Sequence, residues 1–399
     1  MDFTLPPDLV QVRDTVERLM IDVAQPAVKV AEREAKFPRE AVARLGAEGV
    51  FGTAFPESVG GSAQGFQSVS VISETVSRLE PGFGYCMNLQ GMTCPLTILN
   101  WGTDAQIRRF VPDLIAGNKI GMFALTEPGG GSDPAGNMKT TAKKRGGRYV
   151  LNGSKMFITF SDECDTGVLL AKTDPAAGHR GITAFIVEPK SGPGYRADPV
   201  AMSGLSRAFR SCAVFLDEFE VPAENRLGPE GEGFRIAMTA LEYGRLTVSA
   251  RLLGLAQACL DAASGYARDR IIRGSPIGRT QSVQHLIADM TVNVEAARLL
   301  CRRLGWTMDQ GEPAGREAAQ AKYFASVAAR HAAGAAAEIF GGYALADEYP
   351  IRKFMGYIDM LNMGEGAPAV QRTLIAEDTL GYKDANRHAG PRRRGALQP

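Results

Sequence analysis

A glycine-rich segment, FALTEPGGGSD at residues 123–133, has the side chains and the backbone freedom to bind a polar ligand. Its three consecutive glycines let the backbone approach a ligand closely and permit positive φ, so that N–H groups can converge on an anion or a polar ring edge. Thr126 and Ser132 add two hydroxyl groups. A bare triple glycine is also typical of a simple connection between domains, so both interpretations stay open for this segment taken alone.

A lone glutamate, Glu365 in the stretch MGEGAPAVQR, is the candidate general base. A carboxylate in a dry, apolar slot can act as a general base, because desolvation raises its pKa and makes it a stronger base. The preceding residues MLNM carry no charge, which suits such a slot. The alternative is an ordinary loop carboxylate between two glycines.

Two charged residues, Glu242 and Arg245, lie three positions apart where the sequence has the pattern of a long helix. That spacing places both side chains on one helix face. They are either a solvent-exposed ion pair or two members of a ligand site.

The other reactive residues exclude several classes of chemistry. The six cysteines are scattered without a CxxC pair, which predicts reduced thiols in a cytoplasmic protein. The four histidines are isolated and give no metal-ligand spacing. The sequence has neither a GxSxG elbow nor a P-loop, so metal hydrolysis, serine hydrolysis and nucleotide triphosphate chemistry are not favoured.

The composition is that of a soluble globular protein with several domains. The 399 residues include 45 basic and 44 acidic side chains, and the resulting charge of +1 gives no electrostatic footprint for nucleic acid. Hydrophobic residues make up 45% and charged residues 22%, which argues against disorder, collagen and a disulfide scaffold. No apolar run reaches the ~18–20 residues that span a bilayer, and the acidic start is unlike a secretory signal. We therefore expect neither a nucleic-acid partner nor a membrane.

Hydrophobic periodicity divides the first part of the chain into two domains. Residues 1–120 have apolar side chains at helical spacing and predict an N-terminal helical domain. Residues 121–230 have short apolar runs bounded by Gly and Pro, which predicts a central β-barrel or β-sandwich domain. Within it, Asn152-Gly153 predicts the turn of a hairpin.

Long helices return in the last part of the chain. Residues 231–385 predict a C-terminal four-helix bundle, because a helix of about 37 residues over 234–270 needs neighbours to bury its apolar face. The basic segment 386–399 is expected to be a flexible tail. The predicted fold class is therefore α+β. The three further helices are predicted over residues 283–310, 317–341 and 367–381.

Taken together, the motifs resemble those of the acyl-CoA dehydrogenase family of flavoproteins. The family pattern is Thr-Glu-Pro-Gly-x-Gly-Ser-Asp followed by a Lys-x-(Trp/Phe)-Ile-Thr strand, and this chain has TEPGGGSD at 126–133 and KMFIT at 155–159. The family's three-part fold, helical, β and helical, is also the organisation predicted above. Further matches follow in the family's order and cover nearly the whole chain: VPAENRLGPEGEGF (221–234), LEYGR (241–245), IFGG (339–342) and EYPIRKFM (348–355).

The resemblance implies FAD as the cofactor. In the family, the segment matching 123–132 lines the flavin, and the strand after it shields one face of the ring. Carried over, Leu125 and Thr126 hydrogen-bond the ring edge, and Phe157 lies against the ring with Thr159, although a lone strand aromatic is otherwise a core residue. The cofactor-binding residues implied on this side are Phe123, Leu125, Thr126, Gly131, Ser132, Phe157 and Thr159.

A second set of residues is implied to reach the FAD of a neighbouring subunit. Arg270, eleven residues before Gln281, matches such a family pair, and the fixed donor fork of an arginine suits a pyrophosphate. Glu338, Gly341 and Gly342 align with another flavin-contacting stretch. Gln is usual where Glu338 stands, so this carboxylate is expected to turn away from the phosphates or to pair with Arg270. These contacts imply a homo-oligomer, either a dimer or a homotetramer.

The reaction implied is the α,β-dehydrogenation of an acyl thioester bound to CoA or acyl carrier protein. Glu365 matches the family's Glu-Gly position and abstracts the α-proton, while the β-hydrogen passes as hydride to flavin N5. The thioester carbonyl is polarised by the Glu365 backbone N–H and by the flavin ribityl hydroxyl. The reduced flavin then passes electrons to an electron-transferring flavoprotein. The substrate-binding residues implied are Ser132, Glu242, Arg245, Gly364 and Gly366.

The segment around the candidate base departs from the family pattern. Gly364 replaces a bulky residue, often Tyr, which predicts an open slot and a preference for a bulky acyl group. Ala367 and Ala369 stand where Thr and Gln often contact FAD, and Gly356-Tyr357 stands where Arg-Asp is usual.

These departures keep two alternatives open. An acyl-CoA oxidase or flavin monooxygenase of a biosynthetic pathway would use the same fold. A non-catalytic flavoprotein that binds a partner or nucleic acid belongs to another class, and the near-neutral charge counts against it.

Overall fold

The computed structural model describes residues 4–382, so the predicted basic tail 386–399 lies outside the described residues. Buried apolar residues at helical spacing, among them Val16, Met20 and Val28, form the first helical stripe and confirm the predicted pattern. Thr103 and Gln106 form a capping box at the start of the seventh helix. The helices of this part are α1 (Pro7–Leu19), α2 (Gln25–Glu34), α3 (Arg39–Ala47), α4 (Gly65–Leu79), α5 (Gly84–Asn88), α6 (Cys94–Trp101) and α7 (Asp104–Ile115).

The middle of the chain forms one eight-stranded sheet with a core of its own. Leu169 and Phe185 point into that core, whereas Val168 and Ile186 on the same two strands join the helical core, because successive side chains of a strand point to opposite faces. The sheet order is β6-β7-β3-β2-β4-β5-β8, and β1 pairs with β4 in parallel. The strands are β1 (Gly121–Ala124), β2 (Thr141–Arg145), β3 (Arg148–Thr159), β4 (Thr166–Lys172), β5 (Ile182–Val187), β6 (Tyr195–Pro199), β7 (Ser211–Pro222) and β8 (Arg226–Leu227).

The predicted hairpin turn at Asn152-Gly153 is wrong. Both residues lie inside the continuous strand β3, and the chain reverses earlier, between β2 and β3. A register shift in the β3–β7 pairing falls beside Gly153, whose φ is 143°, so the glycine marks a β-bulge. The Asn152 side chain donates to Glu218 Oε1 at 2.7 Å and accepts from the Glu218 N–H at 2.8 Å, which ties it to β7.

The last part of the chain is helical, as predicted. The first helix has 37 residues, and the three further predicted helices are also present. A further helix over Ile351–Met363, which precedes the Glu365 loop, was not predicted. A short antiparallel pair, β9 (Ile271–Ile272) and β10 (Ser275–Pro276), follows the first helix. The helices are α8 (Gly233–Asp269), α9 (Gln281–Asp309), α10 (Gly315–Phe340), α11 (Ile351–Met363) and α12 (Pro368–Thr379).

Two glycines inside α8 mark close contacts, which explains why they stand in a helix despite a cost of roughly 1 kcal/mol each against Ala. A Cβ at Gly254 would lie 2.3 Å from the carbonyl oxygen of Glu74, so α4 and α8 pack backbone to backbone there. A Cβ at Gly244 would lie 2.6 Å from the Glu365 carboxyl group. The helix α8 therefore connects the N-terminal helices with the loop that carries the candidate base.

All six cysteines are buried free thiols, as predicted. Over residues 4–382, no helix has the length and hydropathy needed to cross a membrane.

Candidate functional site

A buried ion pair joins the two family motifs of the β domain. Lys155 Nζ, from the KMFIT strand, lies 2.8 Å from Glu127 Oε1 and also donates to the Leu125 carbonyl at 3.2 Å. The Glu127 carboxylate accepts further hydrogen bonds from the backbone N–H groups of Lys139 and Thr140, at 2.6 Å and 3.1 Å. Every polar atom of the pair thus has a protein partner, and the pair fixes the glycine-rich turn against strand β3.

Burial and pairing oppose each other at both groups of this pair, and both pKa values are lowered. Burial lowers the pKa of Lys155 to about 8, while the charge of Glu127 opposes that shift. Burial alone would raise the pKa of Glu127, but the Lys155 charge and the two N–H donors outweigh it and lower the pKa.

The glycine-rich turn uses its glycines for space and not for unusual backbone angles. None of Gly129, Gly130 and Gly131 has a positive φ. A Cβ at Gly130 would lie 2.9 Å from Asn137 Nδ2, whereas a Cβ at Gly131 would meet only the Thr126 methyl group, at 3.9 Å. An exposed run of backbone without side chains is therefore available to a ligand beside Thr126.

Phe157 is an exposed strand residue and not a core residue. It lies at a bulge of β3, where the register with β7 shifts between Lys155 and Ile158, and its φ is 58°. Its side chain is 56% exposed. The half-buried Thr159, two residues on, shares a hydrogen bond of 3.0 Å with Ser211. An exposed aromatic beside a side-chain-free backbone fits the flat ring of a flavin, so the residues present fit the cofactor.

The backbone of the Glu365 loop, between α11 and α12, accepts hydrogen bonds from three buried or half-buried side chains. Arg245 Nε and Gln371 Nε2 donate to the Glu365 carbonyl at 3.2 Å and 3.1 Å. Lys322 Nζ donates to the carbonyls of Asn362 at 3.0 Å and Gly366 at 2.5 Å. These bonds hold Glu365 at a φ of 55°, a left-handed conformation that few non-glycine residues adopt.

The Glu365 carboxyl group itself has one hydrogen bond and one vacant oxygen. Asn88 Nδ2, from α5, donates to Oε1 at 3.1 Å, and Thr247 fixes Asn88 by donating to its Oδ1 at 2.7 Å. The other oxygen, Oε2, is buried without a hydrogen-bond partner. A buried oxygen in that state is costly, which marks it as available to a ligand.

Burial raises the pKa of Glu365. The Asn88 hydrogen bond and the positive charges of Arg245, Lys322 and Arg251 oppose this rise. Burial also lowers the pKa of Lys322 to about 7. A carboxylate in this setting is a stronger base than one in water.

The structure brings Arg245 beside the Glu365 loop, where the negative charges of Glu365 and Glu242 both act on it. Arg245 donates to the backbone of the Glu365 loop, and Glu242 accepts from the Ala314 N–H at 3.3 Å. Both residues are half-buried, which counts against a simple surface ion pair. Burial lowers the pKa of Arg245.

The remaining predicted residues lie at exposed positions of this single chain. Ser132 and Gly364 are exposed, and a Cβ at Gly364 would meet only the Met360 carbonyl, at 3.8 Å. Arg270, just after α8, has its guanidinium 5.6 Å from the Tyr343 ring and forms no ion pair with Glu338 within the described part of the chain. The exposed residues at the ends of helices are Arg270, Gln281, Glu338, Gly341 and Gly342.

Sequence reasoning missed several residues that hold this site together. Asn88 and Gln371 gave no signal, since a single amide has no pattern. Lys322 could have been noticed, because a lysine on the alanine-rich stripe of α10 faces the core and needs partners there. The pairing of Glu127 with Lys155 could have been inferred from two opposite charges inside otherwise apolar motifs.

Three domain matches cover nearly all of the chain. It matches the acyl-CoA dehydrogenase N-terminal domain over residues 6–118, the middle domain over 122–218 and the C-terminal domain over 231–380. The chain therefore belongs to the acyl-CoA dehydrogenase family. Membership confirms the predicted fold, the dehydrogenation of an acyl thioester and FAD as the cofactor.

Individual relatives agree with this assignment. Glutaryl-CoA dehydrogenase of Desulfococcus multivorans is 38% identical over 97% of this chain and all of its own length. The caffeyl-CoA reductase-Etf complex subunit CarC of Acetobacterium woodii is 36% identical over 86% of this chain and 90% of that subunit. The solved glutaryl-coenzyme A dehydrogenase complex with glutaryl-CoA superposes with a TM-score of 0.93 at 37% identity, covering 98% of this chain and all of that one.

Proposed function

We propose that Glu365 is the base that removes the α-proton of the acyl thioester. The observation that carries this role is its carboxyl group, which is buried against Gly244 and has one partnerless oxygen. Asn88 donates to the other oxygen, Oε1, and this hydrogen bond fixes the orientation of the carboxyl group and hence the position of Oε2. Burial raises the pKa of Glu365, which increases its basicity toward a weakly acidic C–H bond.

The anchors of the Glu365 loop act by positioning. Arg245, Lys322 and Gln371 hold the backbone of the loop, so the carboxyl group keeps its place while a thioester binds. The Glu365 backbone N–H is the proposed donor to the thioester carbonyl, where negative charge develops as the proton leaves. Gly364 and Gly366 leave the space beside the base open for the substrate.

The proposed flavin side of the site is the glycine-rich turn with strand β3. Leu125 and Thr126 would bind the ring edge, Phe157 would cover one face, and the Glu127–Lys155 pair would keep the two segments in register. When bound, FAD supplies the acceptor for the β-hydrogen and its electron pair. Phe123, Gly131, Ser132 and Thr159 complete this set of proposed contacts.

We further propose a homo-oligomer in which Arg270 and Gln281 of one subunit reach the cofactor of another. Support comes from α9, where Val292, Leu299 and Trp306 recur every seven residues and are 68%, 44% and 53% exposed. Such an apolar stripe on a helix is suited to packing against another copy. The exposed Glu338, Gly341 and Gly342 belong to the same proposal.

The proposed electron acceptor is an electron-transferring flavoprotein. Its support is the name of the Acetobacterium woodii relative, which is a subunit of a reductase-Etf complex. A cytoplasmic location, expected from the free cysteines, is part of the same proposal.

A test of the function mixes FAD-loaded protein with a panel of acyl-CoA thioesters in the absence of air. Loss of the oxidised flavin absorbance together with an enoyl product is the expected result, because the substrate reduces the flavin directly. Peroxide formed in air at a rate comparable to turnover would instead favour the oxidase alternative. No bleaching with any thioester would contradict the catalytic role and favour a binding protein.

A further inference from the structure

Arg251, on α8, is a buried cation with vacant hydrogen-bond donors. Its side chain is 1% exposed, and Nε and Nη2 have no hydrogen-bond partner among the described residues. A buried donor without an acceptor is destabilising, and more so when it carries a charge. Since burial lowers the pKa of Arg251 only to about 10, the group stays charged at neutral pH.

Other vacant polar groups surround the same guanidinium. Its central carbon lies 4.8 Å from the centre of the Tyr85 ring, and the Tyr85 hydroxyl is itself buried without a partner. A Cβ at Gly84 would lie 2.6 Å from Arg251 Nε and 2.6 Å from Ser77 Oγ, a third buried atom without a partner. The absence of a side chain at Gly84 therefore leaves space for the guanidinium. The Arg251, Tyr85 and Ser77 side chains together present hydrogen-bond donors that have no acceptor among the described residues.

The protein offers Arg251 no ion-pair partner of its own. Within residues 4–382 no carboxylate lies in salt-bridge range of Arg251, and the carboxylate whose charge acts on it is that of Glu365. The other groups that act on it are Tyr85, Tyr357 and Cys86, and burial raises the pKa of each, so all three stay neutral. The described residues therefore supply no anion that compensates the charge of Arg251 at contact distance.

Arg251 lies on the helix face that carries the reaction site. It follows Gly244, where the Glu365 carboxyl group rests, by seven residues, which is two helical turns. Residues seven positions apart in an α-helix lie on nearly the same face, about 10 Å apart along the axis. Thr247, which donates to Asn88, lies between Gly244 and Arg251 on α8. A molecule whose reacting carbon lies at Glu365 can extend along this face toward Arg251.

We propose that Arg251 binds a carboxylate at the far end of the acyl chain, so that the substrate is the thioester of a dicarboxylic acid. The planar guanidinium of arginine can donate two parallel hydrogen bonds to a carboxylate. The Tyr85 and Ser77 hydroxyls can donate further hydrogen bonds to the same carboxylate. The inference rests on the proposed function, because it assumes that the acyl group reacts at Glu365.

The test compares matched thioesters on the FAD-loaded enzyme. Dicarboxylic acyl-CoA thioesters from succinyl to pimelyl are each paired with the straight-chain thioester that has a methyl group in place of the terminal carboxylate. We expect kcat/KM for the best diacid to exceed that of its partner by ~10²-fold or more, since the monoacid leaves a buried charge unpaired. Arg251→Met should remove most of that ratio by losing activity on the diacid while keeping FAD.

A matched control is Arg298→Gln, which removes another largely buried arginine. Arg298 is fully occupied by Glu74 and Gln257, so its loss should leave the ratio between diacid and monoacid unchanged. A wild-type enzyme that reduces its flavin with monoacids and not with diacids would overturn the Arg251 inference and leave the dehydrogenase function intact. Equal losses on both substrates in Arg251→Met would also overturn it. Absence of flavin reduction with every thioester would contradict the proposed function itself.

Discussion

Two buried cations of this molecule, Lys155 behind the glycine-rich turn and Arg251 on α8, have opposite surroundings. Lys155 has a carboxylate at 2.8 Å and a carbonyl at 3.2 Å, and its partner Glu127 is saturated in turn. Arg251 has two nitrogens without partners and an aromatic ring beside it. The comparison separates a charge that completes the fold from a charge that awaits a ligand.

The same contrast applies to the two glutamates. Glu127 accepts three hydrogen bonds, and its pKa is lowered despite burial. Glu365 keeps one oxygen vacant, and burial raises its pKa. Among buried ionisable groups, unsatisfied atoms and not burial alone mark the reactive region.

Among the substitutions of residues that surround Glu365, filling the space beside its carboxyl group should have the largest effect on catalysis. In Gly244→Ala, the new methyl group would lie 2.6 Å from the carboxyl carbon, so the carboxyl group must move. A displacement of about 1 Å in a reacting group costs on the order of 10²-fold in rate. Stopped-flow flavin reduction checks this. The matched control, Gly265→Ala on the same helix, has open space at its Cβ and should keep the wild-type rate.

The two buried cations should respond oppositely to the same substitution. Lys155→Met leaves Glu127 buried without its cation and should destabilise the protein by about 3–5 kcal/mol. Arg251→Met removes a charge that has no partner, so the free energy of unfolding should stay the same or increase. Urea unfolding of the two variants checks the difference. Equal destabilisation by both would show that Arg251 has a hidden partner in the folded chain.

The hydrogen bond from Asn88 gives a pH prediction. Asn88 stabilises the charged form of Glu365 and so opposes the rise of its pKa. Asn88→Leu should raise that pKa further, and the acid limb of the kcat/KM profile should move to higher pH, because the charged carboxylate loses a hydrogen bond. Thr247→Val, which touches Asn88 and not Glu365, should shift the limb less. A limb that moves to lower pH would contradict the assignment.

Much of the fold, and the candidate base Glu365, could be singled out from the sequence. The 37-residue helix α8 was evident from its uninterrupted apolar pattern, and Glu365 from its register within the motifs. The hairpin failed because Asn-Gly is typical of a turn, whereas here Gly153 makes a bulge beside Thr140. Local turn preference cannot reveal that tertiary contact.

Arg251 could not have been singled out from the sequence. An arginine in a long helix is most often an exposed residue, and its burial depends on Gly84, which lies 167 positions earlier in the chain. The partners of Glu365 are likewise distant, since Asn88 comes from α5 and Lys322 from α10. Such groups meet only through the packing of helices, for which a single sequence carries no local signal.

The smallest effect is expected at Gly364. It has a φ of −66°, and a Cβ there would meet only a carbonyl at 3.8 Å, so a larger residue fits without backbone strain. Gly364→Tyr should reduce kcat/KM for branched or aromatic thioesters about 10-fold more than for straight ones. Equal losses, or a wild type that turns over straight-chain monoacid thioesters faster than branched ones, would show that this glycine does not set the pocket.

The central claim, that Glu365 is the base, is tested most directly by the rate of anaerobic flavin reduction in Glu365→Gln. The amide has nearly the same shape and keeps the loop but cannot accept the proton. The account predicts normal FAD content and a rate lower by ~10²–10⁴-fold or more. Asp359→Asn, an exposed carboxylate on α11, should keep the wild-type rate. A Glu365→Gln enzyme that reduces its flavin as fast as the wild type would place the base elsewhere and contradict the account.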